Sequence, residues 1–115
     1  MTLPAAPYSA ARRSGDLLFV SGQLGVTPGG PPADVTTQTE VALERLAAVL
    51  AEHGATAADV VKCTVFLADM ADWPAMNAVY ERFFAQPYPA RSALGVELAL
   101  GALVEIEAVA DVARS

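Results

Sequence analysis

P-Y-P-A-R-S-A-L-G-V (Pro87–Val96) runs through a Gly/Ala/Leu-rich turn into V-E-I-E-A (Val104–Ala108). Two prolines bracket the entry, and Arg91 opens a short apolar run. The second run alternates: Val104, Ile106, Ala108, Ala110 and Val112 share one face of an extended chain, and Glu105, Glu107, Val109 and Asp111 share the other. Both segments, Ala90–Val96 and Leu103–Val112, read as strands that close the chain. Working back, Trp73–Phe84 reads as a helix with Pro74 in its first turn. Trp73, Met76, Tyr80, Phe83 and Phe84 form one apolar stripe, read as core packing, with Asn77 lying within it. Val60–Leu67 is a further strand, alternation placing Val61, Cys63, Val65 and Leu67 on one face and Val60, Lys62, Thr64 and Phe66 on the other. Asp34 is an N-cap for a helix that runs to His53 and stops at Gly54. Leu17–Val20 is a buried strand broken at Ser21-Gly22-Gln23, with Leu24–Val26 continuing it, and Tyr8–Arg13 a short first strand. Residues 1–115 thus make a single α+β domain, with two helices on one face of a mixed sheet of about six strands.

Composition narrows the class. Apolar residues make up 54% of the chain and the mean hydropathy is +0.38, more than a small monomer can hide. Self-association, with another copy covering the face the helices leave open, is the expectation. The net charge of −6 argues against nucleic acid and against an anionic membrane surface as partners. Arg12–Arg13 is the only basic pair, read as a solvated strand end. The lone cysteine, Cys63, rules out an intramolecular disulfide and thiolate-rich metal sites, and its alternation makes it a buried small side chain. No His/Cys/Asp/Glu group has metal-ligand spacing, and His53 fits a helix end. No apolar run reaches the ~18 residues of a membrane span, and no signal peptide is visible, so a cytoplasmic location is expected.

The remaining candidates for chemistry are Arg91, the carboxylates of the last strand, Tyr8, Asn77 and the Gly22 backbone. A guanidinium matches a carboxylate bidentately. A partly desolvated glutamate acts as base and then acid near neutrality. If the two closing strands pair, Arg91 holds an anionic substrate while a carboxylate moves protons; the alternative is a structural ion pair. Alternation alone does not choose between Glu105 and Glu107. Nor does it decide whether Asn77 is a helix-edge amide or a pocket amide.

Six segments occur in the order found in one known family: P-Y-S (Pro7–Ser9), V-S-G-Q (Val20–Gln23), V-K-C-T-V-F-L (Val61–Leu67), M-N-A-V-Y-E-R-F-F (Met76–Phe84), P-A-R-S (Pro89–Ser92) and V-E-I-E-A (Val104–Ala108). Over nearly its whole length the chain resembles the RidA/YjgF/UK114 family of reactive-intermediate deaminases. That resemblance implies a chorismate-mutase-like fold assembled as a homotrimer, with sites at the subunit contacts. It implies hydrolysis of 2-imino acids and their enamine tautomers, such as 2-aminoacrylate, to 2-keto acids and ammonia, without cofactor or metal. It assigns Arg91 to the substrate carboxylate and Glu105 to the attacking water. It places Tyr8, Gly22, Asn77 and the backbone of Ala93 in the substrate pocket. The alternative is a non-catalytic trimer that binds small carboxylates as a sensor or as a partner of another enzyme; a ribonuclease reading fits the acidic charge least. The chain departs from the family at Ala6, Ala10 and Ala93, where the family often has Gly, Gln and Cys. Its segment 97–103 is one residue short and lacks the usual proline.

Overall fold

A computed structural model describes residues 6–113. Five strands form one sheet in the order β1-β2-β5-β3-β4: β1 Ala11–Ser14, β2 Leu17–Leu24, β3 Val60–Leu67, β4 Ala90–Gly95 and β5 Val104–Asp111. The last strand inserts at the centre, antiparallel to both β2 and β3, and only β3 and β4 run parallel. α1 (Val35–Glu52) connects β2 to β3, and α2 (Trp73–Phe83) connects β3 to β4. A connection long enough to hold a helix is what a parallel pair requires.

Local chemistry sets the helix ends. The Asp34 carboxylate accepts the Thr37 N–H at 2.7 Å, and that bond holds the Asp34 carboxyl below its ordinary range. At the other end His53 caps α1, and Gly54 takes the left-handed conformation with φ of 72°. Buried Gln38 ties two loops to α1. Its Nε2 donates to the Pro32 carbonyl and its Oε1 accepts the Leu103 N–H, both at 2.7 Å. Gly25 passes so close to this turn of α1 that a Cβ would sit 2.5 Å from the Gln38 carbonyl oxygen.

The core lies between the helices and one sheet face. Val104, Ile106, Ala108, Ala110 and Val112 are all buried, as the alternation of β5 requires. Two bulges alter the expected pattern elsewhere. In β3 the register slips between Val60 and Lys62, so Val60 enters the core and Val61 turns outward, 47% exposed. This reverses the faces expected for that pair, because an extra residue at a bulge inverts the alternation on one side of it. In β2 the slip falls between Val20 and Gln23. The break at Ser21-Gly22 is therefore a bulge inside one strand rather than a strand end. β2 continues past the bulge as far as Leu24, and the sheet has five strands rather than about six.

The sheet face away from the helices carries Leu17, Phe19, Val61 and Leu94, all exposed, beside half-buried Phe66 and Val109. No helix of the described residues is long and apolar enough to cross a membrane.

Candidate active site

Strand β4 brings Arg91 level with Cys63 of β3, on the helix-covered side of the sheet. At this edge the guanidinium lies against α2. Its Nη1 donates to the Asn77 Oδ1 at 2.7 Å, and its Cζ stands 4.7 Å from the Tyr80 ring centre and 5.2 Å from that of Trp73. The Met76 sulfur is 3.9 Å from Nη1. Asn77 is thus a partner of the cation, and it also lines the cleft beside it. No carboxylate of the described residues pairs with Arg91; the ion pairs there are Arg13–Asp16 and Arg82–Glu40. Arg91 is half-buried and lines an open cleft of about 350 Å³ with Asn77, Tyr80, Glu81, Tyr88 and Pro89.

Behind the guanidinium sit two buried groups. Tyr80 Oη faces the Cys63 thiol without closing a well-formed hydrogen bond. Burial pushes both groups up, and the Arg91 charge offsets this only in part. A thiol held protonated in this way is a packing group, not a nucleophile.

Glu105 occupies the opposite face. It is paired with Phe66 of β3 and Leu24 of β2, half-buried between them. Desolvation raises the Glu105 carboxyl above its ordinary range, and the Glu107 charge on the same face raises it further. The β2 bulge makes room for this carboxylate. A Cβ on Gly22 would fall on Glu105 Oε2 and lie 2.7 Å from Cδ. Ser21 anchors the bulge to the first segment, its N–H bonding the Ala10 carbonyl at 2.9 Å and its hydroxyl the Ser9 carbonyl at 2.6 Å. That anchorage puts Tyr8, 70% exposed, into a second cleft of about 330 Å³ with Arg12, Phe19, Ser21 and Glu107.

The expected site residues therefore divide. Arg91, Asn77 and half-buried Ala93 lie on the helix side of the β4 edge. Glu105, Gly22 and Tyr8 lie toward the open face. β3 stands between β4 and β5, so the strands of Arg91 and Glu105 are not neighbours in one chain, contrary to the pairing supposed from sequence. Trp73 and Tyr80, expected as core packing alone, also present their ring faces to the cation. Their spacing with Asn77, on one stripe of α2, was the available signal.

The family model described as Endoribonuclease L-PSP matches residues 2–112. The chain belongs to this family. Within the L-PSP family it is 45% identical over 116 residues to a RutC family protein of Haemophilus influenzae, covering 93% of this chain and 89% of the relative. A 2-iminobutanoate/2-iminopropanoate deaminase of Dermatophagoides farinae is 38% identical over 110 residues, covering 92% of this chain and 86% of that one. Among solved L-PSP-family structures, RidA from the Antarctic bacterium Psychrobacter sp. PAMC 21119 superposes with a TM-score of 0.88 at 34% identity, covering 95% of this chain and 91% of that one. RidA, RutC and deaminase names thus all attach to close relatives of this L-PSP-family chain.

The Gly22 contact yields a first prediction. Gly22 has no left-handed backbone requirement, and the colliding atoms are the mobile end of Glu105. Gly22→Ala is expected to keep a near-wild-type melting temperature while displacing the Glu105 carboxylate. If Glu105 is a reacting group, displacing it by about 1 Å costs on the order of 10²-fold in rate. Thermal melts beside steady-state kinetics check this; an unchanged rate would show that the Glu105 position is immaterial.

Proposed function

We propose that this protein hydrolyses 2-imino acids and their enamine tautomers to 2-keto acids and ammonia, at sites shared between copies of the chain in a homotrimer. The observation that carries the reading is Arg91: a half-buried cation, oriented by Asn77 and two rings, with no carboxylate partner among the described residues. A desolvated guanidinium without a counter-charge is an anion receptor, and a planar carboxylate fits it bidentately. The D. farinae relative, whose name specifies imine deamination, supports the same chemistry.

In this reading Arg91 holds the substrate carboxylate, with the Ala93 backbone beside it. Glu105 takes a proton from water as the water oxygen bonds to the imine carbon. The C=N electron pair moves to nitrogen, which takes that proton from Glu105 and restores the carboxylate. The resulting carbinolamine collapses: its hydroxyl proton passes through Glu105 to the nitrogen, the C–N bond breaks, and ammonia leaves as the C=O forms. Tyr8 and the Gly22 backbone complete the pocket. No cofactor and no metal enters the scheme.

Arg91 and Glu105 on opposite faces of one chain cannot serve one small molecule. A second copy, its open face meeting the β4 edge of the first, would bring its own Glu105, Gly22 and Tyr8 to Arg91. The exposed Phe19, Val61 and Leu94 support such a contact. A trimeric ring makes each contact identical. A reducing cytoplasm suits the free Cys63 thiol.

The test is to generate 2-aminoacrylate or 2-iminopropanoate in situ and follow keto-acid and ammonia release with and without the protein. Acceleration abolished in Arg91→Ala supports the reading. Keto-acid binding by calorimetry with no acceleration at high protein concentration would replace it with a non-catalytic carboxylate-binding trimer.

A further inference from the structure

The stripe Trp73, Met76, Asn77 and Tyr80 falls on one side of α2 at i, i+3, i+4 and i+7. Every one of these side chains meets the same group, the Arg91 guanidinium. Core packing accounts for Met76 and Tyr80, which are buried, but it does not require that Trp73 and Asn77 meet the cation as well. Trp73 is partly buried against the core, and its ring centre also stands 5.2 Å from the guanidinium carbon.

We propose that Trp73 and Tyr80 are positioning residues that hold the Arg91 guanidinium ready for its anion. This rests on the reading of Arg91 as the carboxylate receptor. Asn77 occupies Nη1, while Nε and Nη2 make no hydrogen bond among the described residues. An arginine offers just that Nε/Nη2 edge as a two-donor fork to a carboxylate. The rings supply what a hydrogen-bond acceptor would not. Their quadrupoles attract the cation and stiffen its long side chain without occupying a donor. A carboxylate in the position of either ring would neutralise Arg91 and compete with the substrate. The aromatic pair therefore orients the charge and leaves it unspent, and less side-chain freedom is lost when the anion binds.

Trp73→Met tests this, since it keeps an apolar side chain and removes the π face; Trp73→Phe restores a ring. The first readout needs no substrate. In protein labelled with ¹⁵N-arginine, the Arg91 Nε–H signal, assigned by its loss in Arg91→Lys, is expected to be shifted upfield by the rings. Trp73→Met moves it toward the free-arginine position, and Trp73→Phe largely returns it. The second readout is kinetic. Trp73→Met raises KM for a 2-imino acid by about 2- to 30-fold with kcat nearly unchanged, the range expected of one cation–π contact. Trp73→Phe recovers most of it. A free-arginine signal in the wild type overturns the proposal even if the Met variant does not fold. An unmoved signal and KM in folded Trp73→Met overturn it equally. Wild-type protein that hydrolyses no imine removes the functional reading, and the NMR comparison then decides the positioning role alone.

Discussion

Arg91→Ala is expected to lose about 10²–10³-fold in kcat/KM for 2-imino acids. The loss follows from what the side chain touches. Its guanidinium is half-buried, so a bound carboxylate would be partly desolvated and would depend on it strongly. Because ground state and transition state both carry the carboxylate, much of the loss falls on KM, with a share on kcat from misplacement of the imine carbon. Arg91→Lys is expected to recover little. A lysine ammonium is a point charge without a planar fork, and it lacks the delocalised plane that the guanidinium brings to the Trp73 and Tyr80 rings. The fold is expected to tolerate the change, since it leaves no buried ion behind; the Asn77 amide loses its hydrogen bond, and Trp73, Met76 and Tyr80 lose a contact. Kinetics of all three proteins, with thermal melts as controls, check this. Arg91→Ala with wild-type kcat/KM would remove Arg91 from the site.

Glu105→Gln is expected to lower kcat by about 10²–10⁴-fold, the usual contribution of a general acid–base group. Unlike the arginine change, it leaves binding of a keto acid nearly intact. The wild-type pH profile carries a further sign. Desolvation, and then the Glu107 charge, raise the Glu105 carboxyl above its ordinary 4.5. In the proposed mechanism Glu105 is a base in its ionised form, so activity is expected to climb with pH through that raised value. Glu107→Gln removes the like charge and lets Glu105 ionise more readily, so the acid limb moves to lower pH. Stability runs the other way. A carboxyl whose folded pKa is raised opposes folding once pH exceeds its unfolded value, so Glu105→Gln melts no lower than wild type near neutral pH. Rate–pH profiles of the three proteins decide the point. An acid limb that stays put in Glu107→Gln would mean that another group carries the proton.

Much of the fold was legible because its signals are local. The Asp34 cap, the Gly54 stop and the strict alternation of β5 each announce their element within a few residues. The bulges at Ser21–Gly22 and at Val61 were not legible in that way. A bulge is a relation between two strands, and the inverted faces of Val60 and Val61 depend on register against Lys62 and Val109 of the ladder. Strand order hid the geometry of the site for the same reason. Val104–Asp111 follows β4 in sequence yet inserts two positions away, so the sequence offers Arg91 and the carboxylates of the last strand as candidates without placing them on opposite faces. The selection of Glu105 over Glu107 came from family resemblance, and the packing adds a physical ground: Glu105 is the half-buried carboxylate beside Gly22, whereas Glu107 is exposed. Trp73 and Tyr80 were read as core because an aromatic stripe on a helix usually is; their second role appears only once β4 brings a cation to them.

Complementation tests the central claim most directly. Arg91→Ala and Glu105→Gln proteins, each nearly inactive alone, are unfolded together at equal concentration, refolded, and assayed for 2-imino acid hydrolysis. In a ring whose sites take Arg91 from one copy and Glu105 from the next, random mixing leaves about a quarter of the contacts with both native residues. Recovery of about a quarter of the wild-type rate is the expected result. A co-refolded, fully assembled mixture no more active than its parents would contradict a site shared between copies.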